Sequence, residues 1–260
     1  MTLVTRPGTL LRSHPYSESS RILRFLTPEA GIVAVMARGV RKQASKGGGP
    51  LDLFDDVEIT YDHRAGRDLH TLREHRTLKR RGELGSNLLR FAGASFLSEL
   101  ILTHTMEEGS PRLHDRLTSG LDGLLACASE EIPGRFLAAG WGIVAEFGFP
   151  PELARCVRCN LEIPPEGMTR FDLAEGGLRC PECAASGVGP RLGPGARTDL
   201  RAILAGAPPS GLRGAAEHFN LLERFALHHL DRRRVFQTSA TLAPLLASEG
   251  TGDPTPEGQV

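Results

Sequence analysis

Aromatic residues are scarce in this chain: they make up 5% of the 260 residues, with one Trp and two Tyr. A surface made chiefly of stacked aromatic platforms is therefore excluded. Long apolar runs are missing too. The start, MTLVTRPGTLLRSH, has no stretch suited to a signal peptide, and GIVAVMA at 31–37 is far too short to cross a bilayer. A cytoplasmic protein is expected. No GxxxxGK[ST], HExxH, GxSxG or GxGxxG occurs, so the KGGGP run at 46–50 reads as a flexible loop and not as a phosphate cradle. The neighbouring carboxylates Asp55/Asp56 and Glu107/Glu108 read as solvated surface or helix caps. These absences argue against an enzyme. Net charge is also lacking, since 31 basic and 31 acidic residues cancel.

That cancellation conceals a division. Residues 1–81 carry fifteen Lys and Arg against nine acids, a charge of +6, and the remainder carries −6. A basic first segment attracts polyanions, and an acidic remainder suits protein partners. Within the basic segment, GTLLRSHPY, SRILRFLT, GIVAVMARG, DDVEITYDH and LHTLREH are short apolar or alternating runs separated by Pro15, Pro28, Gly31 and Gly66. Five strands in that length suit an OB-type barrel, although an SH3-like barrel has the same pattern.

After Glu83 the apolar period lengthens from two to about three and a half. Leu84, Leu88, Ala92, Phe96 and Leu100 predict one helix, ending near Gly109. Leu113, Leu117, Leu121, Leu124 and Leu125 predict a second, and Phe136, Gly140, Ile143, Val144 and Phe147 a third that stops at GFPPE. Phe219, Leu222, Ala226 and Leu230 predict the last. Trp141 belongs to the third stripe and is expected in the core. The fold class is thus multidomain α+β. Its predicted parts are a barrel over 1–80, a helical domain over 81–150 and 190–236, a cysteine module inserted at 151–189, and a disordered tail at 237–260.

Five cysteines, four of them in two CxxC pairs, argue for metal in a reducing compartment and against a disulfide framework. Cys156, Cys159, Cys180 and Cys183 have the spacing of a four-thiolate shell. Such a shell is closed, leaving no position for water or substrate, so the ion is structural. Zinc is the expected metal; iron also fits four thiolates. Arg155, Arg158 and Arg179 are placed to offset the negative charge of the loaded site. Cys127 reads as a core residue, and His228 and His229 as surface or helix-end groups.

LLRSHPYSESSRILRFLTPEAGIVAVMARGVRKQASK resembles the amino-terminal signature of the RecO family of bacterial recombination mediators. Tyr16-x-Glu18, Thr27-x-x-x-Gly31 and Gly39-x-Arg41-Lys42 follow one another in the family's order. PPELARCVRCN with GGLRCPECA is similar to the zinc module that many members carry between helices. The resemblance implies an OB-fold domain, a helical domain and structural Zn2+. It also implies non-catalytic binding of single- and double-stranded DNA in the bacterial nucleoid, annealing of complementary strands, and action with RecR to help load RecA on DNA coated by single-stranded DNA-binding protein (SSB). SSB itself is a further partner to consider. No membrane and no small-molecule substrate is implied.

The residues allow a physical account of annealing. A protein that grips phosphates through Arg38, Arg41, Lys42 and Lys46, with Arg21 and Arg24, leaves base edges free to pair with a second strand. Zinc-stabilised RNA binding is the alternative, because the same barrel and basic loop serve either polymer.

Overall fold

The computed structural model describes residues 2–38, 49–104, 108–186, 189–230 and 235–249. Five strands come first: β1 (Thr2–Ser17), β2 (Ser20–Thr27), β3 (Gly31–Arg38), β4 (Asp56–His63) and β5 (Leu69–Lys79). Each pairs with two others in the order β1-β2-β3-β5-β4, and β4 returns to β1. The long β1 makes this possible by pairing β4 over its first half and β2 over its second. Inward positions recur at every second residue, as the pleat requires, and bury Leu23, Phe25, Val33, Val35, Val57 and Ile59. The Thr27-x-x-x-Gly31 spacing has a local cause. Thr27 Oγ1 accepts from the Ala30 amide and donates to the Gly31 carbonyl, while Gly31 adopts a φ of 61°.

A short 3-10 turn (Gly82–Ser86) leads into helices α1 (Leu88–Thr103), α2 (Pro111–Ala126) and α3 (Ile132–Glu146). Asn87 caps α1 through the Arg90 amide, and Ser110 caps α2 through the Leu113 amide, which is why the chain starts helices there. The first stripe is only partly as expected. Leu84 is buried in the 3-10 turn, Leu88 is 61% exposed, and Leu89 and Leu97 take the inward positions. The other stripes pack in one core around α3, with Leu125 and Phe147 only partly buried at its edge.

Helices α2 and α3 approach closely, and two glycines of α2 separate cleanly in consequence. A Cβ on Gly120 would lie 2.7 Å from the Ala139 Cβ, whereas one on Gly123 would meet nothing within 4 Å. Gly120→Ala is expected to lose about 1 kcal/mol, because overpacking against a rigid methyl outweighs the helix-propensity gain. Gly123→Ala is expected to gain about 0.5–1 kcal/mol. Urea denaturation of the two variants checks this, and equal signs would refute the packing argument.

After α3 comes a small sheet of β6 (Thr169–Asp172), β7 (Gly177–Arg179) and β8 (Arg191–Leu192), ordered β7-β6-β8. The inserted module therefore runs to Leu192, slightly beyond the predicted boundary. Then follow α4 (Pro194–Leu204), α5 (Ala215–His229) and α6 (Ser239–Glu249). Helix α6 corrects the expectation of a disordered tail from 237. Leu242 and Leu246 are buried, and the Glu99 carboxylate of α1 accepts hydrogen bonds from the Gln237 and Thr238 amides at 2.8 and 3.0 Å. Two buried leucines in eleven residues make too weak a period to stand out from the polar sequence around them. Residues 250–260 lie outside the described residues. Among the described residues no helix is long and apolar enough to cross a membrane.

Candidate metal centre and basic barrel face

The four predicted ligands converge. Their Sγ atoms all lie within 4.8 Å of one another, with Cys159 and Cys180 at 3.7 Å. Thiolates around a tetrahedral ion at about 2.3 Å would sit about 3.8 Å apart, so the donor set fits a metal of that size. Each pair is held by its own turn. Cys156 donates to the Leu161 carbonyl and accepts from Asn160, whose φ of 61° closes the first turn. Strand β7 delivers Cys180, whose carbonyl accepts from Ala184 at 2.9 Å. Gly177 at the start of β7 is obligatory, because a Cβ there would lie 2.4 Å from the Glu152 carbonyl oxygen.

The thiols are electrostatically unequal. Burial pushes Cys156 up, but amides of Cys180, Cys159 and Arg158 outweigh it and bring the thiol down to about 6. Cys183 is pushed up to about 12, first by Cys180 and Cys159. Metal binding requires the thiols to ionise, so a cation at this site would release the Cys183 proton. Of the three arginines expected to compensate charge, Arg179 is engaged elsewhere and Arg155 keeps its charge beside the first turn. Arg179 is ion-paired to Asp172, and Arg155 donates to the Asn160 carbonyl.

What seats the module on the helices was only partly legible. Trp141 is fully buried, as expected, with its ring 5.0 Å from Phe225 of α5 and 6.4 Å from Phe171 of β6. His229 is not a surface group: its Nε2 lies 2.8 Å from the Leu173 carbonyl, and burial pushes its pKa down, so the neutral ring donates there. Arg197 is fully buried in α4 and donates to the Pro164, Pro165 and Gly167 carbonyls, while Arg201 donates to Leu153. The available signal was position: Arg197 shares a helix face with Leu200 and Ile203, where an apolar residue belongs.

The basic residues of the barrel divide between two faces. On the outer side of β1, β2 and β3, Leu26 packs against the helical core, with Ile32 opposite it across the β2–β3 ladder. Two residues along, Arg24 stands opposite Arg12 on β1, and the face ends at Arg38 opposite Ser20. Arg21 has the inward parity of Leu23, at the open end of the barrel beside Ala37. Arg41, Lys42 and Lys46 lie outside the described residues. Arg12 was missed because single arginines in a strand carry no motif, and only the β1–β2 register reveals its partner. Like charges directly opposed across a ladder are destabilising. Yet Arg12, Arg21, Arg24 and Arg38 are exposed, and among the described residues none has a carboxylate within ion-pair distance. Other barrel arginines differ, since Arg6, Arg73 and Arg76 pair with Glu29, Asp62 and Glu58. Of the four aromatics in the segment, Phe25, Phe54 and Tyr61 are buried, and Tyr16 at the end of β1 is 63% exposed.

Asp55 and Asp56 are not solvated. Both face Arg81, which is 1% exposed and joins barrel to helices. Its guanidinium donates to both Asp56 oxygens, the Phe54 carbonyl and Asp122 of α2, all at 2.7–2.9 Å.

Comparison with known proteins agrees with this architecture. The family model described as recombination protein O, N terminal, matches residues 1–81, and recombination protein O, C terminal, matches 85–235. The DNA repair protein RecO of Anaeromyxobacter dehalogenans (strain 2CP-C) is 33% identical over 244 residues, 90% of this chain and 94% of its own length. That of a Nocardioides species is 30% identical, over 86% and 93% of the two chains, and that of Symbiobacterium thermophilum 29%, over 90% and 94%. By both measures, the chain belongs to the recombination protein O family.

Proposed function

We propose that the chain acts in recombinational DNA repair as a non-catalytic protein that binds single- and double-stranded DNA by its phosphates and anneals complementary strands. It works with RecR to help load RecA on DNA coated by SSB, and the barrel is an OB-type module. The observation that carries this reading is the opposed Arg12–Arg24 pair, left without a carboxylate among the described residues while Arg6, Arg73 and Arg76 of the same barrel are paired. A polyanion relieves that repulsion. Arg38 adds a third exposed guanidinium to this face, Arg41, Lys42 and Lys46 follow it in the sequence and join it in this reading, and Tyr16 is the one exposed aromatic of the segment. With so little stacking surface, bases stay free to find a complement. Zn2+ in the four-cysteine site is structural in this reading, because a closed shell activates no water.

Reversing charge at Arg12 and Arg24, each to Glu, is expected to weaken binding to every DNA sequence alike. The plot of log affinity against log salt should become shallower by about two. Fluorescence anisotropy over a salt series measures it, and an unchanged slope would remove the face from the interface. RNA of the same sequence is expected to compete less well than DNA; equal or better competition would favour the RNA-binding reading. Annealing assays with and without SSB then test the mediator role.

A further inference from the structure

The helical half contains a cavity of about 500 Å³ between α4 and α5, walled on one side by β8. That volume lies in the range of small-molecule sites, and no barrel residue lines it. Its floor is apolar, from Leu192, Ala196 and Leu221. Its rim carries three guanidinium groups, Arg191, Arg213 and Arg224, all exposed. Both flanking helices begin at the cavity with glycine caps, Gly193 and Gly214, neither of which supplies a capping side chain. At α5 the first-turn Glu217 carboxylate folds back beside Gly214, and α4 opens on Pro194, so the amides of Gly195 and Ala196 are the ones left to an outside acceptor. His218 supplies an independent pointer. It is 5% exposed and lines the cavity, and its imidazole has no hydrogen-bond partner among the described residues. Burial pushes its pKa down, so the ring is a neutral donor and acceptor. A largely buried imidazole that lines the cavity without a protein partner is available to whatever fills it.

We propose that this cleft binds a nucleoside monophosphate unit, either free or as the end of a DNA strand. The guanidinium groups and helix amides take the phosphate, the apolar floor takes the base, and His218 takes a base or sugar hydrogen bond. Asp199 and Glu217, also in the lining, accept from sugar hydroxyls or an exocyclic amine. They also limit the net positive charge of the lining, which selects one phosphate over three.

Calorimetric titration of the full chain with AMP tests this. Saturable binding is expected with Kd below about 1 mM. Reversing Arg213 and Arg224 to Glu, both surface positions, is expected to weaken it at least about tenfold, as loss of charge-assisted hydrogen bonds does. Gly195→Phe should abolish it by filling the cleft; a Cβ at Gly195 meets nothing within 4 Å, so the fold tolerates the change. No saturable binding, binding undiminished in both variants, or equal affinity for inorganic phosphate alone would overturn the proposal. Competition by a 5′-phosphorylated oligonucleotide but not by its 5′-hydroxyl form identifies a strand end as the source. Competition by neither identifies the free nucleotide, and either result supports the site. Equal competition by both would place AMP on the general DNA surface and overturn it. Because the barrel takes no part, failure here leaves the annealing role standing.

Discussion

With Zn2+ held by the four cysteines as proposed, its chelation from purified protein is expected to unfold residues 152–192 while the barrel stays folded. The three strands of the module contain four, three and two residues, too few to hold themselves together in water. Structural zinc in such small units contributes about 10–16 kcal/mol of apparent binding energy, and that energy is the folding energy of the unit. Its loss would release Phe171 from Trp141 and open the adjacent core. Because Trp141 is the only tryptophan, its emission reports the event: a red shift and a gain in quenching by iodide are expected on metal removal. Cys180→Ser should do the same without a chelator. DNA affinity measured at the same time should fall by less than about threefold, since the cationic barrel face shares no residue with the module. An unshifted Trp141 spectrum after complete metal loss would show that the hydrogen bonds of Arg197, Arg201 and His229 hold the module by themselves.

How much of this was readable beforehand follows from the range of each interaction. The metal ligands were legible because two tight turns encode them locally, and the helices because a stripe repeats within one element. The strands were legible for the same reason. Features that depend on register between distant segments were not: the Arg12–Arg24 opposition needs the β1–β2 pairing. The Glu99 cap on α6 joins residues 138 apart in sequence. Asp55 and Asp56 misled because an acidic dipeptide beside a turn has the same sequence whether it faces water or Arg81. His229 misled likewise, for its contact is a carbonyl 56 residues upstream.

Replacing Arg81 with Met should cost about 3–5 kcal/mol, because it removes one partner of a buried ion pair. The guanidinium joins Asp56 and the Phe54 carbonyl on the barrel side to Asp122 of α2. Removing it strands Asp56 and Asp122 beside Asp55, whose Oδ2 already has no hydrogen-bond partner. Lys79 reaches Asp122 at 2.7 Å, but it is half exposed and does not reach Asp56. The pH dependence carries the signature. Burial pushes Asp122 up, but Arg81 and Lys79 outweigh it and hold the carboxyl below its ordinary range. A carboxyl depressed in the folded state stabilises above the unfolded pKa of 3.8, and that contribution disappears as pH falls through the lower folded value. In Arg81→Met this acid-side loss should shrink. Asp55 works in the opposite sense: burial raises its folded pKa, so its ionisation costs stability as pH rises through that value, and more so without a guanidinium near it. Urea midpoints from pH 3 to pH 7 separate the two slopes. Adding Asp56→Asn and Asp122→Asn to Arg81→Met should recover most of the loss, because the two carboxylates that lost the guanidinium are then neutral. If the single variant lost less than about 1 kcal/mol, or the triple variant recovered nothing, the junction would be held by Leu11, Leu26 and Phe54 packing on the helices, with the ion network a passenger.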